Sequence, residues 1–235
     1  MSNNYFKFKQ FTIVQDGCAM KVGTDGCLLG GWFDCSKSKN IIDIGCGSGL
    51  IAIMAAQRCD ALVTGIEIDS NAAIQAEENV KNSPWSERIE IVNCDFLEYD
   101  TSKRFDTVVC NPPYFVNSLK CDRSQRTLAR HSDSLNCKEF FAKCAEISTD
   151  TATVNIIIPS DIAEEWLSAA KENGFNASRI THIKTTPKKA PKRVLMEFSR
   201  SETATNEKTI IFEDGRGEYS EDVKNILRDF YLKIV

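Results

Sequence analysis

The sequence predicts an α/β fold, a doubly wound sheet with helices on both faces, and three observations carry that expectation. Apolar runs suited to strands recur at 40–44, 61–66, 89–93, 107–110 and 153–158, and helical patterns fill the gaps between them. Parallel neighbours need such crossovers, because a tight turn can only return the chain antiparallel. A glycine-rich turn, Asp43-Ile-Gly45-Cys-Gly47-Ser-Gly49, follows the first of these strands, and acids stand at the ends of the next two.

Phe6, Phe8, Phe11 and Ile13 alternate as a hairpin or lid strand does, Met20 to Gly26 is a glycine-punctuated loop, and 27–33 suits a short helix. Residues 1–35 are therefore expected to form a strand-and-loop lid that contributes to a cofactor site, within a single domain spanning 1–235. Helices are predicted over 50–57, 71–82, 137–148 and 160–173, with Ser70 and Ser160 as N-caps and Gly174 as a stop. Farther on, 176–184, 194–199 and 209–212 are strand-like, and 221–231 reads as a terminal helix. Hairpin-joined strands added to the end of a parallel sheet predict a mixed sheet of about seven strands.

Composition excludes several classes. Apolar residues are 42% and charged residues 26% of the 235, which indicates neither disorder nor a fibrous repeat. No apolar run approaches the roughly 18 residues that cross a bilayer, and the N-terminus lacks a signal-peptide core, so a cytoplasmic protein with no membrane partner is expected. The ten cysteines are scattered with no C-x-x-C pair, which reads as reduced, mostly buried thiols and no metal site. A net charge of −4 argues against indiscriminate coating of nucleic acid but leaves room for local basic faces. Two are candidates: the run 184–193 with Lys188, Lys189, Lys192 and Arg193, and the group Arg123, Arg126 and Arg130. Solvated loops account for such runs equally well.

The glycine spacing is G-x-G-x-G, unlike the G-x-G-x-x-G that seats a pyrophosphate, and an acid, Asp43, introduces it. Glycines let the backbone turn sharply and let a ligand come close, while the acid repels phosphate and favours a cationic or amine-bearing ligand. S-adenosyl-L-methionine, with its ammonium and sulfonium charges, fits. Glu67, 24 residues after Asp43, can accept both ribose hydroxyls. Asp95 faces the adenine amine in this reading, with Ile68 and Phe96 on either side of the ring, although an acid at a strand end can also be an N-cap.

Asn111-Pro112-Pro113-Tyr114 ends the fourth strand and belongs to the same rim. The Asn111 side-chain oxygen and the Pro112 carbonyl can accept the hydrogens of a planar amine and favour its tetrahedral form as charge develops on nitrogen. The prolines fix φ and offer no N–H, so the ledge is preorganised for accepting. Tyr114 and Phe115 can stack on a flat substrate, and His131, after Arg130, can touch its phosphate.

These residues carry a resemblance. The Asp43 to Gly49 loop, Glu67 and Asn-Pro-Pro-Tyr resemble class I S-adenosylmethionine-dependent methyltransferases that modify planar nitrogens. Within them, the run from Met20 through Val22, Thr24 and Asp25 to Trp32, together with Asn111 to Phe115 and Ala129 to Ser132, is similar to the bacterial tRNA(Val) adenine-37 N(6)-methyltransferase family. The resemblance implies a Rossmann-like class I fold, S-adenosyl-L-methionine as methyl donor, and a valine tRNA as partner, methylated on the 6-amino group of the adenine beside its anticodon. It also places Thr24 and Asp25 near the methionine end of the donor. A monomer is expected separately, the residues themselves being silent on oligomeric state. Rival readings are a protein glutamine methyltransferase acting on release factors, another rRNA or DNA amino-methyltransferase, and a binding module without turnover.

Overall fold

Ten apolar or alternating runs form strands in a computed structural model that describes residues 4–18, 21–113, 135–215 and 217–234. β1 (Tyr5–Lys7) and β2 (Thr12–Val14) make a separate antiparallel hairpin. The main sheet holds β3 (Asn40–Ile44), β4 (Leu62–Glu67), β5 (Ile89–Asn93), β6 (Phe105–Cys110), β7 (Ser148–Pro159), β8 (Asn176–Lys184), β9 (Arg193–Ser199) and β10 (Asn206–Ile211). Its order is β10-β8-β9-β7-β6-β3-β4-β5.

Strands β3 to β7 run parallel, and β9 lies antiparallel between β7 and β8. The sheet has eight strands rather than the seven expected. Both edges of β9 are taken by its two neighbours, so β10 cannot pair with it as a hairpin partner and joins instead at the open edge of β8, where it runs parallel.

Helices cover both faces: α1 (Thr24–Trp32), α2 (Leu50–Arg58), α3 (Ser70–Lys81), α4 (Cys137–Ile147), α5 (Ala163–Glu172) and α6 (Glu221–Leu227). Alternation along the strands divides the core. Ile41, Val109, Ile157 and Leu195 join α1, α2 and α6 on one side, while Ile42, Ile44, Val108, Cys110, Val154 and Ile156 meet α4 and α5 on the other. Strands buried on both faces read as continuous apolar runs, which is why they stand out in the sequence.

Helix boundaries correct three expectations. Asp69, not Ser70, caps α3, its Oδ1 accepting the Ala72 N–H at 2.9 Å, and Ser70 becomes the first helical residue. Ser160 opens a 3-10 turn, Ser160–Ile162, without capping it, because Pro159 at φ −58 already sets the entry. α6 stops at Leu227 rather than continuing to 231, since the chain turns there and carries Tyr231 back to bridge Phe8. Gly174 ends α5 as expected, at φ 78, with its N–H on the Lys171 carbonyl and the Phe175 N–H on that of Ala170. Among the described residues, no helix is long and apolar enough to cross a membrane.

Candidate active site

Register brings the strand ends together. Ile44 of β3 pairs with Ile66 of β4 and Cys110 of β6, and Glu67 pairs with Asn93 of β5. Gly45, Glu67, Asp95 and Asn111 therefore occupy one edge, the carboxyl edge of the parallel strands. The strand order reverses between β3 and β6, and such a switch point opens a crevice for ligands.

The loop from β3 to α2 is built for close approach. Gly45 and Gly47 have φ of 68° and 54°, and a Cβ at either would meet nothing within 4 Å, so their outer faces are open. Asp43 beneath them is 1% exposed. Its Oδ2 accepts the Ala52 N–H at 3.0 Å, while its buried Oδ1 has no hydrogen-bond partner. Burial, with the charge of Glu67 adding to it, pushes the Asp43 carboxyl up to about 7.

Glu67 stitches the turn to the next strand: Oε2 accepts the Gly47 N–H at 2.8 Å and Oε1 the Asp69 N–H at 2.9 Å. A carboxylate has about four acceptor positions, so each oxygen keeps one for a ligand hydroxyl. Asp95 uses Oδ1 to cap the 3-10 turn Phe96–Glu98 through the Leu97 N–H. Of the two residues expected beside an adenine ring, Ile68 is 68% exposed, whereas Phe96 is buried against Phe140.

Asn111 is half-buried, followed by buried Pro112 and exposed Pro113. Its Nδ2 lies 3.8 Å from where a Cβ on Gly26 of α1 would stand, so the helix start and the ledge are neighbours. Thr24 begins that helix, and Asp25 accepts from Arg193 Nε at 2.7 Å. Because β9 is antiparallel, Arg193 at its start lies beside Pro159 on the same edge of the sheet. Lys188, Lys189 and Lys192 in the preceding loop are exposed, while Arg193 is turned to Asp25. Met20, Tyr114, Phe115, Arg123, Arg126, Arg130 and His131 lie outside the described residues.

Sequence reasoning missed the α3 side chains that anchor the N-terminal segment. Gln75 Oε1 accepts the Gly17 N–H at 3.4 Å, and Asn79 bonds the backbone of both Val14 and Ser48. The signal was present: Asn79 falls on the helix stripe shared with Ala72, Ala76 and Val80, where a buried polar residue needs partners. Cys18 follows this segment, its thiol pushed up by burial and then by Glu67 and Asp69.

An unpartnered buried carboxylate oxygen, open glycine faces and a second acid suit a ligand bearing positive charge and vicinal hydroxyls, and they disfavour phosphate. Residues 20–136 match the Methyltransferase small domain family. The chain is 44% identical over its whole length to the whole of the tRNA1(Val) (adenine(37)-N6)-methyltransferase of Bacteroides thetaiotaomicron. It is 41% identical to the protein of that name from Trichodesmium erythraeum, across 99% of this chain and 100% of that one. Among solved structures, a predicted O-methyltransferase from Agrobacterium tumefaciens superposes with a TM-score of 0.71, at 19% identity, over 90% of this chain and 99% of that one. That likeness shows the class I methyltransferase fold.

Proposed function

The chain belongs to the tRNA1(Val) (adenine(37)-N6)-methyltransferase family, and we propose that it methylates the 6-amino group of adenine 37 in the anticodon loop of a valine tRNA. It is an S-adenosyl-L-methionine-dependent methyltransferase. The observation that carries the reading is the placement of Asn111 on the same sheet edge as Asp43 and Glu67, across the switch between β3 and β6.

In this reading the open backbone at Gly45 and Gly47 receives the donor, with Gly49 holding the turn into α2. Asp43 and Glu67 supply negative charge and acceptors for its amine and ribose. Ile68 and Asp95 would border the adenine end, with Phe96 packed behind them against Phe140, and Thr24 and Asp25 would stand on the methionine side. When bound, the donor supplies an electrophilic methyl on a sulfonium. Asn111 and Pro112 accept the hydrogens of the substrate amine, which orients its lone pair and stabilises the positive charge that grows on nitrogen. No strong base is required, since the nitrogen sheds its proton after transfer.

Tyr114 and Phe115 stack the base, and Arg130 and His131 meet phosphate. Lys188, Lys189 and Lys192 add a sequence-independent hold on the RNA backbone from the same edge of the sheet. Arg193 supports that loop through Asp25.

Incubation with methyl-labelled donor, total tRNA and release factors tests the proposal. Label in tRNA, recovered as N6-methyladenosine at position 37 of the valine isoacceptor, is the expected result. Label confined to release factor selects a glutamine methyltransferase, and donor binding without transfer selects a module that lacks turnover.

A further inference from the structure

Asn79 is 2% exposed in the last turn of α3, and both the oxygen and the two N–H groups of its amide are bonded. Oδ1 accepts the Val14 N–H at 2.9 Å, and Nδ2 donates to the Val14 carbonyl at 2.8 Å and to the Ser48 carbonyl at 2.9 Å. Toward Val14 the amide imitates one rung of a β-ladder. Toward Ser48 it grips the glycine turn between Gly47 and Gly49, both at positive φ. One side chain thus joins segments 65 and 31 residues away from it in the chain.

The joined parts surround the rim. From Val14 the chain follows α3, where the Gly17 N–H donates to Gln75 Oε1 at 3.4 Å and a Cβ on Gly17 would come within 3.3 Å of the Asn71 carbonyl oxygen. The Gln15 Oε1 accepts the Val22 N–H at 2.8 Å, which draws the segment toward the start of α1, where Gly26 neighbours Asn111. Asn79 thus ties the N-terminal segment, which runs on to Cys18 near Glu67 and Asp69, to the same turn whose open faces at Gly45 and Gly47 are the donor site in this reading.

We propose that Asn79 is a positioning residue that couples closure of the N-terminal segment, residues 14–18, to binding of the methyl donor at the glycine turn. It touches neither donor nor reacting atoms and acts through the Ser48 and Val14 backbones. The inference rests on reading the rim as the S-adenosyl-L-methionine site. Coupling of this kind is reciprocal: what donor binding adds to closure, closure adds to donor affinity.

Asn79→Asp keeps the size and the acceptor but replaces the two donated hydrogens with an oxygen facing two carbonyls. The donor dissociation constant is expected to rise about 10-fold, within the usual range for coupled sites, with donor KM rising in step and kcat at saturating donor unchanged. In the wild type, S-adenosyl-L-methionine should slow hydrogen exchange at the Val14 and Gly17 amides by a similar factor, and Asn79→Asp should abolish that protection while β3 and β6 amides stay protected. Exchange at 14–18 that is indifferent to the donor in a wild type that binds it overturns the coupling alone. Equal donor affinity in the variant does the same. A wild type that binds no donor overturns the coupling and the reading of the rim together. If the variant does not fold, wild-type exchange decides.

Discussion

Asp43→Asn should stabilise the donor-free protein at alkaline pH while weakening donor binding, and the structure sets the size of the effect. The carboxyl is held at about 7 in the folded state against an ordinary 3.8. Below the lower value it is neutral in both states and nothing is lost. As pH rises between the two, the unfolded chain releases the proton that the folded chain keeps, so folding stability falls. Above both, the penalty is constant and amounts to roughly 4 kcal/mol. The amide is nearly isosteric with the protonated acid, can accept the Ala52 N–H through Oδ1, and never ionises. Thermal melts of the two proteins without donor should coincide near pH 4 and separate as pH rises. By pH 8 the variant should melt on the order of 10 °C higher, for a chain of this length. Calorimetry on the same samples should show weaker donor binding in the variant, because a buried negative charge kept for a cationic ligand is a stability cost carried for function. A variant no more stable than the wild type at pH 8 refutes the argument.

Other perturbations separate the roles assigned to the rim. Asn111→Ala should lower kcat by roughly 10²–10³ with donor affinity little changed; single-turnover rates equal to the wild type would remove Asn111 from the chemistry. Glu67→Ala takes the acceptor from the Gly47 and Asp69 N–H groups as well as from the ribose, so titration calorimetry should show donor affinity falling at least 10-fold, on the order of 1.4 kcal/mol or more. Neutralising Lys188, Lys189 and Lys192 should flatten the dependence of tRNA binding on salt by about 0.7–0.9 in log–log slope per lost phosphate contact, and an unaltered slope returns these residues to solvated loop. Cys59, half-buried and held below the usual thiol range by its hydrogen bond with Cys35, by the Ala61 backbone and by Arg58 and Arg88, should react with iodoacetamide at neutral pH before the buried Cys110 and Cys144. Mass mapping that finds fully buried Cys110 or Cys144 modified earlier contradicts the described packing.

Much of the architecture was legible because burial on both faces leaves a strong mark. Each of β3 to β6 appears in the sequence as an apolar run, and each ends at a residue of different character: Asp43 and Gly45, Glu67, Asp95, Asn111. Gly174 announced the end of α5 because only a glycine adopts its φ of 78° without strain. The cap of α3 was misassigned by one residue, since Asp69 and Ser70 are both good caps and only the backbone angle of Asp69, extended at φ −78 and ψ 119, decides between them. Placement of β10 escaped sequence reasoning for a topological reason, because periodicity says that a segment is a strand but not which edge remains open to it.

Composition and spacing alone determined that this chain forms a doubly wound sheet with an acid-and-glycine turn after its first core strand and an asparagine-proline turn after its fourth, because local pattern and strand-end chemistry are written along the backbone. Which residues meet across the chain was decided only by the fold. That Asp25 holds Arg193, that Asn79 ties Val14 to Ser48, and that one oxygen of Asp43 is buried without a partner all depend on contacts between residues distant in sequence. Hydrogen bonds and desolvation act over a few ångströms of space, and no spacing along the chain encodes those distances.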